Sequence, residues 1–591
     1  MRYNVEAGET RPTTAETSRG GLGNEYDWAD NRDEYGLNFE YFLDTAWGTH
    51  TIKAGFVRTE NEMFDDFRPA NGVSYQSIGL EDAGSTFASY SEDDTWTGRD
   101  FNLSSDGGPI IGGINASADR AAIYALLDTD SNGEISQAEL GALTFSDTAG
   151  NPHGQVNARR VRTDAAPYTV NTKGTSIYLQ DTWTKDNLTV SAGVRTEKWE
   201  HFDSNGNNFF TFDWEFAPRL SVVYDLSGDG TSKVWGFYGR YYDPIRTNMS
   251  DFAGNVSGAV IHEDVNINGT WVQYRQRGGP GTYDAYFAPN TKTPYTDEFL
   301  VGYSANLGKN VNFSATVTKR DTKNILEDYD LCLYSYYARA DYCDENGYTP
   351  GQGVATEDSP LYLPLEYFGL DPNNIPDSNF YLGTLAGGKR EYLGLELTVQ
   401  KVKADNWMGM ASYTHNSAHG NTNSDSNADF QGDWLAIDPR APNMWGKQAG
   451  NVKHQFKALG AYYWDNGFEV SGVFNWNSGA IMSATQLVAS RHLPIMSDGY
   501  VWEGVEDTWV EPGTVGGIKA PAYYTLDARV KYQRALGFGK LELFLDIFNI
   551  LDKQSTTQIE DLVGGTASTE FMDSIDWVAP RRFYLGARYS F

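Results

Sequence analysis

Residues 128 to 139 read DTDSNGEISQAE, a spacing of oxygen donors suited to holding a calcium ion. In a twelve-residue EF-hand loop, Asp128, Asp130 and Asn132 take ligand positions one, three and five, and Gly133 permits the sharp turn at six. Glu134 offers its backbone carbonyl at position seven, Ser136 fits position nine, and Glu139 can close the site bidentately at twelve. Ala122, Ile123, Leu126 and Leu127 ahead of the loop share one helical face, and SQAELGAL after it can begin an exit helix. The alternative is an acidic, Asx-rich turn of the kind any acidic chain contains. A match at every ligand position favours calcium, one ion per chain. A second stretch, DSNGN at 203–207, lacks the distal Glu and reads as a plain turn.

Other chemistry is sparse. His153, His201, His262, His415, His419, His454 and His492 are scattered, and only His415 and His419 sit close in sequence. No Ser/His/Asp set and no carboxylate pair has a context for catalysis, so no enzymatic activity is expected. The Gly-rich runs GGPGTYDAYFAPN and GTLAGGKREYLG do not lie between a strand and a helix, where a phosphate cradle would need them. The two cysteines, Cys332 and Cys343, stand in a polar, Tyr-rich stretch. A disulfide within one loop, formed in an oxidising compartment, is the reading taken; two free thiols are the alternative.

A formal charge of −33 disfavours nucleic acid as a partner, since phosphate neutralisation rewards basic surfaces. Aromatic residues make up 14% of the 591 residues, while the mean hydropathy is −0.51. That combination suits a surface that is apolar in a thin band and wet elsewhere. No run of about 20 apolar residues exists to form a spanning helix, but barrel strands alternate and need none. The first residues, MRYNVEAGETRPTTAETSRGG, contain no apolar signal core. The chain is therefore either cytosolic or begins partway through a longer precursor, and the remainder favours the second.

From about residue 33 a pattern repeats: two alternating runs joined by a tight turn, then a long polar stretch. In NVNFSATVT, Val311, Phe313, Ala315 and Val317 share one face and Asn312, Ser314, Thr316 and Thr318 the other. Leu188, Val190, Ala192 and Val194 oppose Thr189, Ser191, Gly193 and Arg195 in the same way. Leu541, Leu543, Leu545 and Ile547 oppose Glu542 and Asp546. Soluble sandwiches also alternate. The asymmetry of the connections, short turns on one side and long loops on the other, is what indicates an all-β, transmembrane antiparallel β-barrel, in which every backbone polar group finds a partner. The pattern predicts 15 strands, with MRYNVEAG as the tail of one more, and a long loop over 61–173 that carries the calcium motif. The last strand ends in Tyr589 and Phe591, an aromatic pair at the chain terminus that resembles the signal read by the barrel-assembly machinery.

Five stretches carry a family resemblance: APRLSVVYDLSGDGTSKVWGFYGRYYDP at 217–244, YLQDTWTKDNLTVSAGVR at 178–195, TPYTDEFLVGY at 293–303, LELFLDIFNILDKQ at 541–554 and PRRFYLGARYSF at 580–591. Each is weak alone, but in this order the chain resembles the TonB-dependent outer-membrane transporters, and within them the Oar-like group, over residues 33–591 apart from loop interiors. The resemblance implies a barrel of about 22 strands around an N-terminal plug. On that basis residues 1–591 read as the C-terminal part of the β-barrel, without the plug or the segment that engages the TonB energy-transducing complex.

The implied setting is the outer membrane of a Gram-negative bacterium, with long loops extracellular, the C-terminus periplasmic, and membrane lipid and lipopolysaccharide as surroundings. The implied function is transport of a scarce or large substrate, with peptide or protein cargo as the class the resemblance hints at. A passive porin or surface adhesin with the same barrel is the alternative. A calcium-dependent secreted binding protein or enzyme is the third class.

Overall fold

The computed structural model describes residues 24–69, 73–79, 95–96, 129–131, 135–136, 155–163, 167–243, 247–267, 270–280, 285–335, 362–374, 380–422, 439–440, 444–489, 506–510, 514–563 and 569–591. Fifteen strands follow one another through a single antiparallel sheet. They are β1 (Asn24–Thr45), β2 (Gly48–Pro69), β3 (Tyr168–Lys185), β4 (Leu188–Phe202), β5 (Asn208–Asp225), β6 (Ser232–Tyr242), β7 (Tyr295–Asn306) and β8 (Val311–Lys323). β9 (Arg390–Ala404), β10 (Trp407–Gly420), β11 (His454–Tyr463), β12 (Phe468–Asn477), β13 (Tyr523–Leu536), β14 (Gly539–Phe548) and β15 (Arg582–Ser590) complete the series. The short pair Gly446–Lys447 adds to β10 off this path. Each strand pairs with its predecessor in sequence, the meander that short turns and long loops impose. Among the described residues no ladder joins β1 to β15, so the path has two edges.

The strands match the predicted runs in order, and several reach further than the apolar alternation indicated. β2 continues to Pro69 and β3 begins at Tyr168, with Asn61 opposite Thr172 and Asp65 opposite Tyr168. These ends lie within the stretch read from sequence as loop. Their apolar residues are scattered, as in the buried Met63–Val170 pair, and form no continuous apolar face for a hydropathy period to report, although backbone pairing continues. MRYNVEAG lies outside the described residues.

Tight turns work through positive backbone φ. Asp405 (φ 51°) and Asn406 (φ 67°) form the two-residue connection between β9 and β10, where two left-handed residues match the twist of the flanking strands. Asp225 closes the β5–β6 turn by accepting the amides of Ser227, Gly228 and Gly230 at 3.1, 3.0 and 2.7 Å. The bond from the Ser227 hydroxyl and these amide bonds hold its carboxyl below the usual range.

The register separates two chemistries onto two faces. On one, Val190 lies opposite Val222, Val301 opposite Val317, Val530 opposite Leu545 and Leu545 opposite Leu585. These side chains find no core of their own: Leu585 is 79% exposed and Val301 66%. A belt of exposed aliphatic and aromatic groups running from strand to strand needs an apolar solvent. The other face is polar and paired. Glu40 meets Lys53 at 3.0 Å, Glu298 meets Arg320 at 2.6 Å, and Lys531 meets Glu469 at 2.5 Å. Arg529 holds Asp546 through a second bond of 2.7 Å, and Gln533 donates to Glu542 at 2.6 Å. Aromatic rings on this face cover neighbouring glycines: Trp235 lies over Gly302 and Phe544 over Gly586, where an added Cβ would collide with the ring.

Candidate functional site

The apolar belt ends abruptly toward the long loops. In β4 the outward row runs Leu188, Val190, Ala192, Val194 and then Thr196, Lys198 and Glu200. Glu200 is reached by Lys198 at 3.2 Å and by Arg58 at 3.6 Å. On the outward rows of β6–β8, Arg240 binds Asp297 at 2.8 Å and Lys319 binds Asp321 at 3.1 Å. The four alternating apolar positions from Leu188 to Val194 span six residue steps, or about 20 Å of strand. Beyond it, at the long-loop end, the chain builds a packed cap.

The cap grows from the strand tips. Helix α1 (Thr247–Gly254) lies against the tops of β2, β3 and β4, with the Tyr168 hydroxyl donating to Asp251 at 2.6 Å. A three-stranded sheet of Ala285–Phe287, Phe380–Thr384 and Leu326–Asp330 brings two loops together, the β6–β7 connection giving one strand and the β8–β9 connection two. Phe212, Met249, Ala253, Phe287, Leu326 and Leu382 form one apolar core between these elements. A second core forms around Tyr329, Phe368, Tyr381 and Leu385, with helix α2 (Leu365–Phe368) ending at Gly369, whose φ of 74° takes the left-handed cap.

His201 is buried within this cap. It is the fourteenth residue of β4, above the apolar belt, and fully shielded. Phe209, Phe210, Phe212 and Phe287 surround its ring at centroid distances of 6.4, 6.4, 5.8 and 5.7 Å. Its Nδ1 and the Ser250 hydroxyl share a hydrogen bond of 2.6 Å. Desolvation lowers its pKa to about 3, so the ring is neutral at ordinary pH.

The sequence motifs fall unevenly on the described residues. Asp128, Asn132, Gly133, Glu134 and Glu139 lie outside them. Asp130 is exposed, and the Ile135–Ser136 strand pairs with Thr95–Trp96. Among the described residues no three His, Cys, Asp or Glu side chains gather as a metal site. DSNGN is a turn: Asp203 accepts the amides of Asn205 and Asn207 at 2.9 and 2.8 Å. Tyr589 pairs with Leu541 in register, donates its hydroxyl to the Phe538 carbonyl at 2.9 Å and stacks on Phe591 at 6.0 Å.

Cys332 is buried and disulfide-bonded, while Cys343 lies outside the described residues. Peptide mapping without reductant is expected to recover the 332–343 linkage. Both thiols alkylating freely in native protein would overturn that pairing.

One arrangement has no mark in the sequence. His415 and His419 are four apart on one strand and do not meet. Instead His415 opposes His454 on the neighbouring strand, with ring centroids 4.9 Å apart. His419 stacks on Trp445 at 6.5 Å. Nothing local signals the His415–His454 pair, since register alone brings the two rings together.

Comparison with known proteins agrees with this architecture. The family model described as TonB dependent receptor-like, beta-barrel matches residues 2–550. The TonB-dependent transporter Oar of Myxococcus xanthus is 21% identical over 506 residues, covering 70% of this chain and 42% of that protein. The crystal structure of the outer membrane transporter YddB from Escherichia coli superposes with a TM-score of 0.53 at 12% identity, covering 96% of this chain and 55% of that one. This chain thus spans about half the length of either relative. With its meander of long strands, apolar outer belt and paired polar inner face, the chain belongs to the TonB-dependent receptor-like β-barrel family of the outer membrane.

Proposed function

We propose that this chain is the wall of an outer-membrane transporter that takes up a scarce or large substrate with energy supplied through TonB. The observation that carries this reading is the inner face. Its charges are matched in pairs across neighbouring strands, Glu40 with Lys53 and Glu469 with Lys531 among them. A wall neutralised in that way suits close packing against protein or passage of a large polar solute better than selection of small ions by a field of one sign. The packed cap at the other end supports reception of cargo at an extracellular surface. Peptide or protein is the proposed cargo class.

The test is uptake by cells carrying the intact gene, with labelled peptides and proteins from the culture medium. Accumulation that requires both the gene and TonB is expected. Uptake that persists without TonB would replace this reading with passive diffusion through a porin. Surface retention without entry would replace it with adhesion.

Calcium binding by residues 128–139 is the second part of the proposal. Asp128, Asp130 and Glu139 repel one another until a cation neutralises them, and extracellular EF-hand modules work at about 10⁻⁴–10⁻³ M calcium. Protease cleavage between residues 97 and 154 is expected to slow with calcium and to accelerate with chelator or in Glu139→Gln. The sheet's resistance to heat and detergent should not change. Equal cleavage under all three conditions would remove calcium from the account.

A further inference from the structure

The inward face of β7–β10 differs from the rest of the polar wall. There the register sets Ser304 beside Ser314, Ser314 beside Thr398 and Thr398 beside Ser412. One row toward the long loops, Thr316 and Thr414 flank Glu396, and in the next row Thr318 and Asn416 flank Gly394. The serines and threonines of this strip are all half-buried. Among the described residues their hydroxyls have no hydrogen-bond partner. The inward hydroxyls of β3 and β4 behave differently, Thr182 bonding Ser191 and Thr184 bonding Thr189.

Asn416 ends the strip with a polar atom that lacks a partner. It lies on the same inward face and is 8% exposed, and among the described residues its buried Oδ1 accepts no hydrogen bond. A buried amide oxygen without a donor is unfavourable, so this position calls for an N–H from outside the wall. Beside the strip Met410, Leu459 and Val473 oppose one another on the same face, the last two 37% and 40% exposed. One acid and one base border the hydroxyls, Glu396 and, opposite Ser412, Lys457. Elsewhere on this face charges stand in matched pairs, as in Glu298–Arg320 and Glu469–Lys531.

We propose that this strip is a track for the main chain of an extended peptide. A peptide backbone is uncharged yet rich in N–H and C=O groups. It therefore complements hydroxyls that donate and accept, and an amide oxygen that only accepts. The spacing agrees. Successive rows of the strip lie two residues apart, about 6.6 Å, and an extended peptide lying along the strands repeats its polar groups at that interval. The row of Met410, Leu459 and Val473 receives apolar side chains at one edge. Passage needs binding that is weak and repeated, which single hydroxyls supply and a strong ionic site does not. The track deepens the transporter reading given above and rests on it, naming the chemistry that the wall offers to peptide cargo.

The test is cysteine protection in the full-length protein, reconstituted in phosphatidylcholine vesicles without TonB. Ser314→Cys, Thr316→Cys and Ser412→Cys are labelled with a water-soluble maleimide, and Thr182→Cys on β3 is the control. The probe is a Gly-Ser repeat peptide, compared with its N-methylated form and with maltodextrin. At about ten times its Kd the peptide should slow labelling about tenfold at the three strip positions and leave position 182 unchanged. The N-methylated peptide, which has no main-chain N–H to give, should not protect. Asn416→Leu, once shown to keep its heat-modifiable migration, should lose the protection. Equal protection by the N-methylated peptide, or full protection in Asn416→Leu, would overturn main-chain recognition. Equal protection by maltodextrin would make the strip a glycan site instead. Protection extending to position 182 would show general blockage, and cysteines that never label would show the strip covered by another part of the protein. Either result overturns the track. Protection without TonB-dependent uptake in cells would keep the track and remove transport, whereas uptake without protection would remove the track alone.

Discussion

Leu543→Arg is expected to destabilise the sheet by about 2–4 kcal/mol, the cost of a cation near the middle of a lipid-facing row. Leu543 is 42% exposed, lies opposite Tyr532 and Ala587, and sits between Leu541 and Leu545 on the apolar face. Toward the short turns the row reaches Arg534, opposite Leu541, where a guanidinium can extend to the interface. Leu543 is deeper. One position along, Glu542 occupies the polar face, accepts a hydrogen bond from Gln533 and lies opposite Arg588. Glu542→Arg is expected to cost less than about 1 kcal/mol, because the change removes only a partly solvated hydrogen bond and an attraction between surface charges. Chemical unfolding of the full-length protein from lipid vesicles measures both. Equal destabilisation at the two positions would mean that the faces are assigned the wrong way round or that neither meets lipid.

The second large effect is expected in the cap. Phe287 stacks on Phe210 at 4.3 Å and is 7% exposed. Phe287→Ala should lower the stability of the cap by about 3–5 kcal/mol through reduced burial and the cavity left behind, while the sheet stays intact. Hydrogen exchange over residues 201–212, 247–254 and 285–287, compared with exchange in β13–β15, separates the two. Equal exchange in wild type and variant would remove the cap as a packed unit.

The same core carries a pH dependence of definite sign. The folded state holds His201 neutral down to about pH 3, whereas in the open cap the ring titrates near 6.5. The open state therefore binds the extra proton between those values. Cap stability is fully present above pH 6.5 and falls by about 1.4 kcal/mol per pH unit below it. Asp251, whose carboxyl burial raises above its usual range, acts in the opposite sense at more acid pH. The readout is accordingly the difference between wild type and His201→Leu, whose cap should lack the slope that begins at 6.5. Parallel pH profiles would exclude His201 as its source.

Much of the fold was legible in the amino-acid sequence because a sheet in lipid writes itself locally. Each strand must alternate, so Leu541, Leu543 and Leu545 separate from Glu542 and Asp546 before any partner is known. Turns such as Asp405–Asn406 reveal themselves by residue types that tolerate positive φ. The order of fifteen strands and the family both followed from those local marks.

Three features depended on the tertiary structure. Strand ends such as Asn61–Asp65 pair without an apolar period to announce them. The His201 cage draws on β4, β5, α1 and a strand beginning at Ala285, segments up to 86 positions apart that share no spacing rule. The His415–His454 pair and the hydroxyl strip of β7–β10 depend on register, which is set by the stagger between strands. A slip of one residue would send every side chain of a strand to the opposite face. Composition and periodicity state which residues face outward; only the assembled sheet states which of them become neighbours.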